Sequence, residues 1–259
     1  MTILDKIIEN KKKEVAILKT STPVRELENR KFFKRDTLSL SESLLRNKTG
    51  IIAEFKRKSP SKGIINSFSS VEEVTAGYFR KGAAGISVLT DYQFFGGTGI
   101  DISSIRERSY FPLLRKDFII DEYQVVESKS IGADVILLIA AVLGEREILN
   151  LSTLGRSLGM EILLEIHDAS ELDKVNQYVN IIGVNNRNLN TFEVKSEVSE
   201  MLAEKIPGGF LKISESGISS GMIVEKLRSC GYNGFLVGEA FMSSSDPVKA
   251  FSDFVNEKI

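Results

Sequence analysis

Eight short apolar runs, intervals between them that each fit one helix, and glycines that follow the last runs instead of the first predict an α/β fold, a (β/α)8 TIM barrel with an N-terminal helical extension. The runs are IIAE from Ile51, ISVL from Ile86, PLLRK from Pro112, DVILLIA from Asp134, EILLEI from Glu161, IIGVN from Ile181, FLKIS from Phe210 and GFLVG from Gly234. They are continuously apolar instead of alternating, which is the pattern of strands buried on both faces of a parallel sheet. They recur every roughly 20 to 35 residues, enough for a crossover helix between each pair. An open doubly wound sheet would often carry a glycine-rich phosphate turn after its first strand, and this chain has none there.

Composition bounds the function. The chain has 259 residues, of which 42% are hydrophobic and 27% charged, as in a globular protein long enough for one large barrel. A net charge of -1 supplies no general attraction for nucleic acid, so any anion must be bound by local geometry. A single cysteine, Cys230, and a single histidine, His167, exclude the usual thiolate and imidazole zinc sites. No metal is expected. The start, MTILDKIIENKKK, lacks the apolar core of a signal peptide, and no apolar run has the length of a membrane span. The expectation is a cytoplasmic protein without a membrane partner.

Taken in order, Ile3, Leu4, Ile7, Ile8 and Val15 recur at helical spacing around Lys11 to Lys13, and a second helical pattern surrounds Leu40 to Leu45. Residues 1–48 are therefore expected to form an extension that packs its apolar stripe on the barrel and leaves its lysines in water, with residues 49–259 as the barrel. The first run opens IIAEFKRKSPSKG, Ile51 to Gly63. Alternation along a strand puts Glu54 and Lys56 on one face and Phe55 and Arg57 on the other, so one face carries an acid beside a base.

In this fold the active site is built where strands finish. The polar residues there are Glu54 and Lys56, Asp91, Lys116 and Asp117, Glu165, Asn185 and Arg187, Glu215 and Ser216, and Gly238 with Glu239. Each alone would read as a cap or a solvated loop residue, but their convergence from six or more strands reads as a site. SESGI, Ser214 to Ile218, and VGEAF, Val237 to Phe241, each place a glycine between a strand and a helical pattern. Gly217 and Gly238 are thus candidate phosphate donors through free backbone N–H groups. GGTG, Gly96 to Gly99, lacks the Walker lysine and the dinucleotide spacing, and reads as a flexible loop that lets Phe94 and Phe95 cover a substrate. His167, in EIHDASEL, reads as a loop or helix-cap residue rather than a catalytic one.

In this order and spacing, IIAEFKRKSPSKG, SVLTDYQFFGG, PLLRKDFIID, ADVILLIAAVL, EILLEIHD, IIGVNNRNL, SESGI and LVGEAFM resemble the indole-3-glycerol phosphate synthase family of tryptophan biosynthesis, from about Ile51 to Met242. With the given sequence ending soon after the eighth run, the expectation is the monofunctional form. It implies decarboxylating ring closure of 1-(2-carboxyphenylamino)-1-deoxyribulose 5-phosphate to indole-3-glycerol phosphate, CO₂ and water, without a cofactor. The resemblance makes Lys116 the general acid for the carbonyl, Lys56 the partner of the substrate carboxylate and helper in dehydration, and Glu165 the base. Glu54 would hold the lysines, while Asn185 and Glu215 orient the ribulose hydroxyls. Arg187 and Ser59 would seat the carboxylate, and Ser216, Gly217, Gly238 and Glu239 the phosphate. Pro60, Phe94, Phe95, Phe118 and Leu137 would wall the ring. The extension would lie over the mouth of the site. Among neighbouring cations such as Lys56 and Arg187, the Lys116 amine is expected to titrate below its ordinary range. The partner is a phosphorylated small molecule, and the assembly a monomer or weak homodimer.

A phosphosugar isomerase or aldolase on the same barrel, such as phosphoribosylanthranilate isomerase, shares the phosphate turns. The lysines on the first and third runs, with Glu165, argue against it. A non-catalytic phosphate-binding barrel has no need of the acid and base groups.

Overall fold

The computed structural model describes residues 1–189 and 191–257. The extension supplies α1 (Ile3–Ser21), α2 (Val24–Glu28) and α3 (Leu40–Arg46). The barrel then runs β1 (Ile51–Phe55), a small hairpin of Lys58–Ser59 with Gly63–Ile64, α4 (Val71–Arg80), β2 (Gly85–Leu89), α5 (Tyr92–Phe95), α6 (Gly99–Arg108) and β3 (Leu113–Lys116). It continues through α7 (Glu122–Ile131), β4 (Val135–Ile139), α8 (Glu145–Ser157), β5 (Glu161–Ile166), a 3-10 turn at Ala169–Lys174 and β6 (Ile181–Asn185). It ends with α9 (Glu197–Ala203), β7 (Leu211–Glu215), α10 (Gly221–Ser229), β8 (Gly234–Val237), α11 (Glu239–Met242) and α12 (Pro247–Asn256). All eight strands pair in parallel, and β1 pairs with both β2 and β8, which closes the barrel.

Each strand begins within one residue of its apolar run, because a strand buried on both faces leaves little room for a polar boundary inside it. Alternation then sorts the residues. Ile51, Ala53 and Phe55 pack outward with the helices, whereas Ile52 joins Leu114, Leu137, Leu163, Ile213 and Leu236 in a separate cluster inside the barrel. One pleat further along, the inward positions carry Glu54, Lys116, Glu165, Asn185 and Glu215, so the apolar plug ends in a polar layer. The connection after β5 departs from the expected helix: it is only a 3-10 turn, capped by Asp168, whose carboxylate accepts from Ser170 N.

The extension divides between the two ends of the barrel. Leu40 and Leu44 of α3 are buried at the N-terminal end, where Glu161 Oε2 accepts from Leu40 N (3.0 Å) and Ser41 N (2.9 Å). Glycines at the starts of β2 and β8 make room, since a Cβ on Gly85 would stand 2.5 Å from Leu40 and one on Gly234 2.8 Å from Leu44. α3 is therefore the floor of the barrel. α1 lies at the opposite end, with Ile3, Leu4 and Ile7 facing the mouth. Lys12 and Lys13 are exposed as expected, but Lys11 is not in water: it is fully buried between carboxylates. Among the described residues no helix is long and apolar enough to cross a membrane.

Candidate active site

The C-terminal ends of the strands enclose a cavity of about 550 Å³, within the range of small-ligand sites. Its polar layer holds two ammonium–carboxylate groups. Lys56 Nζ lies 2.8 Å from Glu54 Oε1, two residues apart on one face of β1 and its exit. Lys116 Nζ lies 3.0 Å from Glu165 Oε2 and 3.2 Å from Glu215 Oε2, so it bridges β5 and β7 across the barrel. Gly183 on β6 makes this bridge possible, because a Cβ there would stand 2.5 Å from Glu215 Oε1. A glycine inside a strand signals such an approach, and IIGVN carried that signal.

Burial opposes the charge on Lys116, but Glu165, Glu215 and Glu54 outweigh it and hold the ammonium above the ordinary lysine range. The expectation of a depressed amine fails for a simple reason: three carboxylates, rather than Lys56 and Arg187, are the influences that dominate its surroundings. Glu165 is likewise kept below its ordinary value, since Lys116 and then His167 overcome its burial. Glu215 goes the other way. Burial, with Glu165 beside it, pushes its carboxyl up to about 7 despite Lys116. Its Oε1 is buried and has no hydrogen-bond partner among the described residues.

His167 stands behind this layer, with Nε2 3.5 Å from Glu165 Oε1 and Nδ1 3.6 Å from Glu171 Oε2. It does not line the cavity, and the helix-cap role falls to Asp168, so His167 is a loop residue that leans on Glu165.

The two glycine turns sit side by side at the cavity wall. Asn185 Oδ1 accepts from Ser216 Oγ (2.9 Å) and from Arg187 N (3.0 Å), which ties the end of β6 to the turn after β7. Ser216 and Gly217 both have left-handed backbone, at φ 66° and 77°. Phe192, at φ 61°, and Ser216 are the non-glycine residues with positive φ among those described, and both line the cavity. Strain concentrated at one concavity is the mark of a functional surface. Glu239 presents its backbone at the start of α11, while its carboxylate is occupied by Lys62 Nζ at 2.6 Å and Arg187 Nη2 at 3.5 Å. Gly238 has a second duty beyond the turn: a Cβ there would lie 2.6 Å from Glu54 Oε1 and 2.8 Å from its Cβ.

A family model described as "Indole-3-glycerol phosphate synthase" matches residues 4–254. The chain belongs to this family. Proteins of that name from Bacteroides thetaiotaomicron and from Bacillus cereus strain AH187 are 43% and 44% identical to it, covering 98% and 97% of this chain and 97% of each relative. Among solved structures, a chain of the tryptophan synthase a2b2 complex from Pyrococcus furiosus superposes with a TM-score of 0.61 at 14% identity, over 82% of this chain and 98% of the other. That likeness concerns the barrel alone.

For an indole-3-glycerol phosphate synthase of this sequence, the residues expected at the site fall around one cavity. Glu54, Lys56, Ser59, Pro60, Phe95, Lys116, Phe118, Leu137, Glu165, Asn185, Arg187, Glu215, Ser216, Gly217, Gly238 and Glu239 all line it. Phe95 and Phe118 face each other with ring centroids 6.2 Å apart. Phe94 does not line it. The GGTG turn is not a loose loop either: Gly97 is buried with its Cα against Leu89, where a Cβ would stand 1.8 Å from the carbonyl oxygen, and Asp101 behind it holds the Arg57 guanidinium at 2.7 and 2.8 Å. Sequence reasoning passed over Leu189, Phe192 and Val194, which reach the cavity from the loop after β6. No strand-end rule points to residues so far along a loop. Among the described residues, no group of His, Cys, Asp and Glu is arranged to hold a metal ion.

Proposed function

We infer that this cavity performs the indole-3-glycerol phosphate synthase reaction, the decarboxylating closure of 1-(2-carboxyphenylamino)-1-deoxyribulose 5-phosphate. The enzyme is a carboxy-lyase of tryptophan biosynthesis. The observation that best supports the assignment of residues is the Lys116 ammonium set between Glu165 and Glu215, across from the Lys56–Glu54 pair.

Ring closure needs a protonated carbonyl partner, and an ammonium held firmly in its charged form supplies that proton. In our reading, Lys116 donates to the ribulose carbonyl oxygen as the aryl carbon attacks, and Lys56 draws the substrate carboxylate until CO₂ leaves and aromaticity returns. Glu165, the more acidic of the two buried carboxyls, balances positive charge on the amine and ring and accepts the proton released when water departs. Lys56, kept in place by Glu54, assists the loss of that hydroxyl. Asn185 and Glu215 orient the ribulose hydroxyls, and Glu215, whose carboxyl burial pushes up toward neutral pH, is able to donate as well as accept. Ser216, Gly217, Gly238 and Glu239 bind phosphate through their backbone N–H groups, with the Arg187 and Lys62 cations at Glu239 beside them. Arg187 and Ser59 seat the carboxylate, and Pro60, Phe95, Phe118 and Leu137 wall the aromatic ring.

We further propose that residues 1–48 act as an extension packed on a barrel of residues 49–259, and that the enzyme works as a monomer or weak homodimer in the cytoplasm. Incubation with the carboxyphenylamino deoxyribulose phosphate, followed by indole absorption and fluorescence, tests the reaction. No indole product would overturn it, and a Schiff base trapped by borohydride would favour the aldolase alternative.

A further inference from the structure

Ile3, Ile7, Lys11 and Val15 fall on one stripe of α1, and Lys11, in the middle of it, is fully buried. A buried ammonium on an apolar stripe is costly unless carboxylates face it, and here three do. Lys11 Nζ lies 3.0 Å from Asp91 Oδ2, 2.9 Å from Asp117 Oδ1 and 3.0 Å from Glu14 Oε2. We propose that Lys11 is a positioning residue for the reaction: its ammonium latches α1, as the roof of the substrate cavity, onto the two loops that carry the aromatic wall, the second of which directly follows the catalytic ammonium of β3.

Those two carboxylates are not free to be replaced by apolar groups, because each organises a loop. Asp91 caps α5 by accepting from Phe94 N at 2.8 Å, which sets Phe95 at the cavity. Asp117 accepts from Phe118 N at 2.8 Å and from Thr90 Oγ1 at 2.6 Å, directly after Lys116. Their charges are therefore fixed features at the ends of β2 and β3, both fully buried. Arg115, at 3.0 Å, balances Asp117 from the barrel side, but Lys11 is the ammonium that reaches Asp91 among the described ion pairs. One and two turns earlier on the same stripe, Ile7 and Ile3 line the cavity. Burial by itself would neutralise the Lys11 amine, yet Asp117, Asp91 and Glu14 keep it charged above the ordinary lysine range.

This inference rests on the reading that the cavity binds the phosphorylated substrate. Its test uses the full chain with Lys11→Met, which keeps the apolar stem, and with Lys11→Met combined with Asp91→Asn, which removes the stranded charge while the amide still caps α5. Because Arg115 and Thr90 still hold Asp117, Lys11→Met should lower kcat by less than threefold. It should raise KM at least tenfold and speed trypsin cleavage at Lys12, Lys13 or Lys19 at least tenfold, with the barrel left intact. The double variant should return KM to within about threefold of wild type. A Lys11→Met KM within threefold of wild type overturns the latch, as does a double variant no better than the single one, which would mean that the charge facing Lys11 at Asp91 is not what sets the position of α1. Failure of both variants to fold also overturns it, since Lys11 would then serve the barrel instead of its roof. If the wild-type enzyme does not turn over the substrate, the functional reading falls, and the trypsin arm still decides whether the ammonium holds α1.

Discussion

Glu215→Gln should make the enzyme more stable at alkaline pH while impairing it as a catalyst. The Glu215 carboxyl is buried, faces Glu165 and leaves Oε1 without a partner, and it titrates at about 7 instead of its ordinary 4.5. Between those values the folded chain holds a proton that the unfolded chain has released. Folding stability from this group is therefore fully present below about 4.5 and is lost as pH rises through about 7. At 1.36 kcal/mol per pH unit, the span from 4.5 to about 7 corresponds to roughly 3 kcal/mol. The amide has no proton to lose, so the stability of the variant relative to wild type should grow by about 2–3 kcal/mol between pH 4.5 and pH 8.5. Glu165 is held low in both proteins and loses its contribution only as pH falls, so it works in the opposite direction. Urea melts at both pH values measure the difference. On the catalytic side, one charge-assisted contact to the ribulose hydroxyls is removed, which at about 1.5–3 kcal/mol should lower kcat/KM by about 10- to 100-fold. A stability difference that stays within about 0.5 kcal/mol across the two pH values would show that Glu215 is ionised at neutral pH and would refute this account of the polar layer.

Lys116→Met should cut kcat by about 10²–10⁴ with a much smaller change in KM, as expected for loss of a general acid. A variant that keeps more than about a tenth of wild-type kcat, with chemistry rate-limiting, would move that role to Lys56. Because Glu165, Glu215 and Glu54 raise the Lys116 pKa, the alkaline limb of the wild-type rate profile should persist unchanged when pH reaches the ordinary lysine value of about 10.4, and a limb assigned to Lys116 below that value would contradict the geometry. Gly238→Ala would place a methyl 2.6 Å from Glu54 Oε1, so it should lower kcat by at least tenfold through displacement of the Lys56–Glu54 pair as well as raise KM; parameters within threefold of wild type would refute that contact. Deleting residues 1–22 should raise KM yet leave a folded barrel. Deleting 1–45 removes Leu40 and Leu44, at about 2–5 kcal/mol each, and should abolish cooperative melting, since a domain has only about 5–15 kcal/mol in total.

The sequence by itself determined the barrel and the places where chemistry sits. Strand residues buried on both faces must be apolar without a break, so each of the eight runs announces itself locally, and the two-residue period puts Glu54 with Lys56 on one face before any pairing is known. The turns at Gly217 and Gly238 were visible for the same reason, since their demand on the backbone is local. What the tertiary structure decided are relations between residues far apart in the chain. Lys116 meets Glu165 and Glu215 only because β3, β5 and β7 close into one ring, and that encounter reverses the direction expected for its titration. Gly97 looks like slack in the sequence, but its missing side chain admits the Leu89 carbonyl; the reason for Gly183 is Glu215, on the next strand of the barrel but beyond a whole connecting helix in the chain. Lys11 looked like its solvated neighbours Lys12 and Lys13, because a helical stripe records which face is turned inward and not which charges await it. Electrostatic partners are set by distance through space, and distance through space exists only once the barrel has closed.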